Sequence, residues 1–212
     1  MTIGIIDYGM GNLGSVSNAC RFLGLPAQVL TTPDALTSCE AVILPGVGAF
    51  GDCMRHLNEH GFVEPIRAWV AADRPFLGIC VGLQVLFESS EESPGVPGIG
   101  LFPGVVRRFQ LPASFKVPQI GWNRVRQRPA GRSLFDGIAD GTHFYFVHSY
   151  YVDCRDAALV AGETDYGLAY TSAIARGNLA AVQFHPEKSQ QAGLALLRHF
   201  AAMTGTAKKA VA

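Results

Sequence analysis

The sequence predicts an α/β fold: a mainly parallel sheet flanked by helices, with an antiparallel extension. Three observations carry this. Short apolar, β-branched runs alternate with segments of helical periodicity through the first half, an order that gives parallel strands joined by crossover helices. The second half sets β-rich runs between turn residues, without helices between them. A segment of helical spacing then closes the chain.

Taken in order, residues 2–7 form the first strand, an apolar run suited to burial on both faces. Residues 13–23 read as a helix, and 28–31 and 41–44 as further buried strands. Helices follow at 53–60 and 62–72, with Gly61 stopping the first of them. Residues 76–79 make the last strand of this half, and helical spacing continues over 81–89. Five β runs come next, at 105–109, 117–126, 143–152, 168–176 and 179–184, and are expected to pair antiparallel. The closing helix runs from about 189 to 203, with Leu194, Leu197, Phe200 and Ala201 on its apolar side and Gly205 as its stop. No linker or repeat divides the chain, so residues 1–205 are expected to form one domain and 206–212 to fray.

Composition narrows the function classes. The chain has 212 residues, 17 Lys plus Arg against 17 Asp plus Glu, and is 49% hydrophobic, which excludes intrinsic disorder. A chain of this length buries roughly 70% of its unfolded surface. The neutral balance and the lack of basic clusters argue against nucleic acid or a membrane surface as partner. The five cysteines, odd in number and without a CxxC, fit neither a disulfide framework nor a zinc ribbon. The amino terminus lacks a basic, apolar leader and no apolar run reaches membrane-spanning length, which points to a cytosolic protein. Charged residues make up only 16% of the chain, a sparse surface suited to association.

Two motifs compete for attention. Gly9-Met10-Gly11-Asn12-Leu13-Gly14 is a formal GxGxxG after the first strand, with Asp34 placed as in a dinucleotide site. Asp7 stands just before these glycines, where a carboxylate opposes a docked pyrophosphate, and Asp34 follows Pro33 in a loop. The simpler reading is a tight turn. His56-Leu57-Asn58-Glu59-His60 matches a zinc-peptidase pattern, but the helix ends at Gly61 and no third ligand is evident. It reads as a solvated helix end, and no metal or cofactor is expected.

The chemistry concentrates elsewhere. Gly78-Ile79-Cys80-Val81-Gly82 runs from a buried strand into a helix. Glycines two residues either side of Cys80 permit the sharp turn that presents a nucleophile above a sheet, and the helix N-terminus favours the thiolate, the reactive form. A base is supplied by Gln183-Phe184-His185-Pro186-Glu187-Lys188. Pro186 holds His185 extended, so period two places His185 and Glu187 on one side, with α-carbons about 6.6 Å apart. Glu187 would orient the imidazole, and the other ring nitrogen would face the thiol. His143 and His148 have no such carboxylate, and His199 lies in the last helix. Cys80, His185 and Glu187 are therefore a nucleophile, base and orienter, a set that also suits a free-standing cysteine hydrolase or peptidase.

Gly78 to Gln84 together with His185-Pro186-Glu187 resembles the class I, triad-type glutamine amidotransferases over nearly the whole chain. Asp7-Tyr8-Gly9-Met10-Gly11-Asn12, Leu44 to Phe50, Pro118 to Asn123 and Phe146 to Tyr150 are similar in particular to the glutaminase subunits of imidazole glycerol phosphate synthases. Val81, Leu83 and Ser149 stand where that family often carries Leu, Met and Thr. The resemblance implies a flavodoxin-like sheet, hydrolysis of glutamine to glutamate and ammonia through a Cys80 thioester, and an oxyanion hole from the N–H of Val81 and the loop at Val47 and Gly48. That loop is expected to hold its N–H turned away until a partner is loaded. It also implies that Gln84, Glu92, Ser149 and Tyr150 surround glutamine. The implied partner is a (β/α)₈-barrel synthase that uses the ammonia to make imidazole glycerol phosphate and a purine precursor, AICAR, in histidine biosynthesis. Asn12, Trp122, Asn123 and Lys188 are the positions expected at that interface, although Trp122 suits a core equally well.

Overall fold

The computed structural model describes residues 2–203; the expected stop at Gly205 and tail at 206–212 lie outside them. In chain order the first half gives β1 (Ile3–Ile6), α1 (Leu13–Phe22), β2 (Ala27–Leu30), β3 (Ala41–Gly46), α2 (Phe50–Glu59), α3 (Val63–Ala71), β4 (Phe76–Cys80) and α4 (Val81–Gln84). Then come β5 (Phe87–Ser90), β6 (Phe102–Arg108), β7 (Gln119–Arg124), β8 (Arg126–Gln127), β9 (His143–His148), β10 (Tyr150–Cys154), β11 (Val160–Asp165), β12 (Ala169–Arg176), β13 (Leu179–Val182) and α5 (Gln190–Ala202).

The main sheet runs β2-β1-β3-β4-β13-β12-β10-β6-β5, with β11 paired to β12 and β8 to β11. From β2 to β13 every pairing is parallel. Beyond β13 the ladder turns antiparallel through β12, β10 and β6. This is the α/β architecture with an antiparallel extension that the strand-helix alternation predicts, and β1, β3 and β4 are buried at every position, as strands covered on both faces must be. No helix among the described residues is long and apolar enough to cross a membrane.

Three local expectations are corrected. The helix expected over 81–89 stops after Gln84, and residues 87–90 form a strand parallel to β6. The carbonyls of Val85, Leu86 and Phe87 are claimed by the N–H groups of Ile99, Leu101 and Gly100, so they are not free to continue a helix. Gly98 makes this approach possible, because a Cβ there would stand 2.0 Å from the Phe87 carbonyl oxygen. The run at 143–152 is two strands parted at Ser149: β9 pairs with β7 in a separate two-stranded sheet, and β10 enters the main sheet. The third correction is an addition. β11 was not expected between β10 and β12, and its register against β12 is broken at Gly162, where alternation fails.

Candidate active site

The strand-to-helix turn at Cys80 is strained and tightly framed. Cys80 adopts φ 57° and ψ −112°, a conformation that a side-chain-bearing residue holds only where the surroundings dictate it. A Cβ on Gly82 would lie 2.0 Å from the Leu44 carbonyl oxygen, and one on Gly78 would lie 2.6 Å from the Gly82 carbonyl oxygen. β3, β4 and α4 therefore meet backbone to backbone. As the first residue of α4, Val81 presents an N–H that no earlier turn can satisfy.

His185 stands beyond the end of β13, the strand next to β4, and is 2% exposed. Its Nδ1 bonds Glu187 Oε1 at 2.8 Å. The predicted pair is there, but by a different route. Residues 186–188 form a single 3₁₀ turn, so Glu187 folds back to the imidazole instead of sharing one side of an extended strand. His185 Nε2 is buried without a hydrogen-bond partner. Burial acts to lower the pKa of this imidazole, but Cys80 and Glu187 outweigh it and raise the value from 6.5 to about 10. Glu187 does so by direct contact and Cys80 by proximity, since Nε2 has no partner at hydrogen-bonding distance.

Cys80 and His185 open onto one cavity of about 290 Å³. Val47, Gly48 and Val81 line it, and so do Gln84, Glu92, Ser149 and Tyr150. The structure thus gathers around a single space the residues expected as nucleophile and base, the three expected at the oxyanion hole and the four expected around the substrate. Glu92 Oε2 accepts the N–H of Phe50 at 2.8 Å, at the start of α2, which fixes its carboxylate on the cavity wall. Gln84 lines the cavity as well, and its Nε2 donates to the Tyr150 carbonyl and to Gln183 Oε1.

The loop after β3 is held in a definite orientation. The Val47 N–H donates to the Met10 carbonyl at 2.8 Å, and the Val47 carbonyl accepts from Cys53 Sγ at 3.5 Å. The Val47 N–H is therefore engaged away from the cavity. Gly48 takes φ 93°, a value that glycine tolerates best.

The four interface positions separate. Asn12 donates to Glu187 Oε1 at 3.4 Å, so it belongs to the hydrogen-bond system of His185. Asn123 binds the Asp165 carbonyl and its own neighbour's N–H. Trp122 is 47% exposed and packs its edge on Tyr145, which excludes the core reading, and the Lys188 ammonium stands 5.9 Å above the same Tyr145 ring.

Sequence reasoning missed His148, Pro118 and Val147 as cavity residues. His148 is buried, with Nδ1 on the Tyr150 carbonyl and Nε2 near the Tyr170 hydroxyl, and burial lowers its pKa from 6.5 to about 4. No motif marks it, because its partners come from other strands. The rival motifs are occupied structurally. Asp7 accepts the Gly9 N–H, and the His56 and His60 rings bind the carbonyls of Tyr8 and His56. Among the described residues no group of three or more His, Cys, Asp or Glu is placed to hold a metal ion.

A strained cysteine at a strand-to-helix turn and a carboxylate-held histidine thus border one cavity at the carboxyl end of the parallel strands. The sequence matches the family described as Glutamine amidotransferase class-I over residues 4–203, and the chain belongs to that family. Within it, the chain is 53% identical over 198 residues to the imidazole glycerol phosphate synthase subunit HisH of Moorella thermoacetica, covering 93% of each. It is 51% identical over 208 residues to the HisH subunit of Dechloromonas aromatica, covering 94% of this chain and 95% of that one. Among solved structures, a glutamine amidotransferase matches with a TM-score of 0.74 at 19% identity, covering 96% of this chain and 99% of that one. PurLQS from Thermotoga maritima matches with a TM-score of 0.74 at 16% identity, covering 95% of this chain and 97% of that one. Those two likenesses show the fold alone.

Proposed function

We propose that this chain is the glutaminase subunit of an imidazole glycerol phosphate synthase, acting in the cytoplasm as a heterodimer with a (β/α)₈-barrel synthase. The carrying observation is the single cavity that Cys80, His185, Val81 and Glu92 share. Glutamine enters with its side-chain amide over Cys80 and its ammonium group toward the Glu92 carboxylate. The Cys80 sulfur attacks the amide carbon, and the oxyanion that forms is met by the Val81 N–H. His185, kept protonated by Glu187, gives its proton to the departing nitrogen, and ammonia leaves. Water, deprotonated by His185, then hydrolyses the glutamyl thioester to glutamate. The second oxyanion donor comes from the Val47–Gly48 loop once the Val47 N–H is released from Met10.

Ammonia set free in water would be protonated and lose its nucleophilicity, so it passes through the docked barrel to a second site, where imidazole glycerol phosphate and AICAR form. Trp122 and Lys188, which share the Tyr145 ring, lie on the docking face. Glutamate release by the purified chain, measured with and without the barrel subunit and its nucleotide, tests this reading. Stimulation by the partner and its loss in Cys80→Ala are expected; hydrolysis that survives in Cys80→Ala overturns the mechanism.

A further inference from the structure

Two buried amides beside Cys80 have their orientations fixed by one backbone carbonyl. The Tyr150 C=O can only accept, so the Gln84 atom 3.1 Å from it must be the NH₂ group. The same Nε2 lies 3.0 Å from the Gln183 side chain, and having a second hydrogen to give, it makes that Gln183 atom the carbonyl oxygen. Gln183 must then turn its own NH₂ the other way, where Nε2 lies 3.6 Å from Cys80 Sγ. Gln183 is fully buried and Gln84 is 3% exposed, so no solvent competes for these groups. The chain Tyr150 C=O, Gln84, Gln183, Cys80 thus delivers an N–H to the reacting sulfur rather than a lone pair.

We propose that Gln183 is a further catalytic residue, a hydrogen-bond donor that favours the thiolate of Cys80, and that Gln84 is a positioning residue that keeps Gln183 facing the right way. A donor to an anion in a buried site is worth more than the same bond to a neutral thiol, so the contact selects the charged, nucleophilic form. The proposal rests on the reading of Cys80 as nucleophile.

The test is the rate at which iodoacetamide alkylates Cys80 in the full-length chain, followed by mass spectrometry of the adduct across pH. In Gln183→Met, which keeps the length but offers no donor, the rate at neutral pH is expected to fall about tenfold and the deficit to narrow as pH rises. Turnover of glutamine by the complex should fall with it while KM changes little. Gln183→Glu retains the shape and the acceptor for Gln84 but sets a carboxylate against the sulfur, and its deficit should be larger; it serves if the Met variant fails to fold. Gln84→Met should show a smaller fall in the same direction. A folded Gln183 variant alkylated at the wild-type rate throughout overturns the proposal. Alkylation needs neither glutamine nor the barrel, so it stays readable even if Cys80→Ala shows the glutaminase reading to be wrong.

Discussion

Two buried histidines border the same cavity from different regions of the molecule and are held in opposite charge states. His185 follows β13, at the edge of the parallel half, and a carboxylate is folded onto it. His148 ends β9, in the small antiparallel sheet, and meets a carbonyl and a phenol. Burial alone drives an imidazole neutral, as it does His148, pushed down to about 4. His185 is buried too, yet Glu187 and the Cys80 sulfur reverse the direction and carry it up to about 10. The difference shows that two buried imidazoles part company through their neighbours: Cys80 and the carboxylate of the 186–188 turn act on His185, while His148 meets only neutral groups at hydrogen-bonding distance.

Removing the carboxylate should break this contrast with the largest effect. Glu187→Gln keeps an acceptor for Nδ1 but not the charge, and turnover of glutamine by the complex is expected to fall roughly 10²–10⁴-fold, read as kcat in a glutamate-release assay.

The pH dependence of stability should sharpen the contrast next. His185 binds its proton more tightly folded than unfolded, so its contribution is complete below pH 6.5 and fades as pH rises through about 10. His148 is the reverse: the unfolded chain takes up the proton first, so stability falls as pH drops from 6.5 through about 4. Thermal midpoints across this span should show Glu187→Gln flattening the alkaline limb alone and His148→Asn flattening the acid limb alone. Equal effects of both variants on both limbs would dissolve the distinction.

On the antiparallel side, Tyr170→Phe removes the hydroxyl that stands between His148 Nε2 and the Gln119 side-chain amide. A loss of about 1–3 kcal/mol is expected by denaturant unfolding, because buried polar atoms are left without partners. The smallest change in stability is expected for the half-exposed Trp122. Trp122→Ala should move the unfolding free energy by less than about 1 kcal/mol while weakening binding of the proposed barrel subunit about tenfold or more in titration calorimetry.

The parallel half and its elbow were legible because their physics is local. Apolar runs of strand length and the glycines at 78 and 82 follow from close approach of backbone to backbone, which only glycine permits. What was not legible came from distant pairing. The helix expected at 81–89 was shortened because residues 98–102 claim its carbonyls, and no periodicity within that window reports on those residues. His148 was passed over for want of a neighbouring carboxylate. The residues that flank it, Tyr170 near its Nε2 and Gln119 opposite it in the strand pair, come from β12 and β7. The contact of Asn12 with Glu187 was not legible either, because nothing in the spacing tells that a residue near the amino terminus reaches a carboxylate near the other end.

The segment around Met10 has a consequence for communication. The Met10 carbonyl holds the Val47 N–H, its methyl group crowds Gly48, and Asn12, two residues on, holds Glu187. One short stretch of chain thus touches both the Val47–Gly48 loop and the His185–Glu187 pair. A displacement of residues 9–12 would reach both at once, so a signal arriving there need not travel by two routes, and the two responses would rise and fall together.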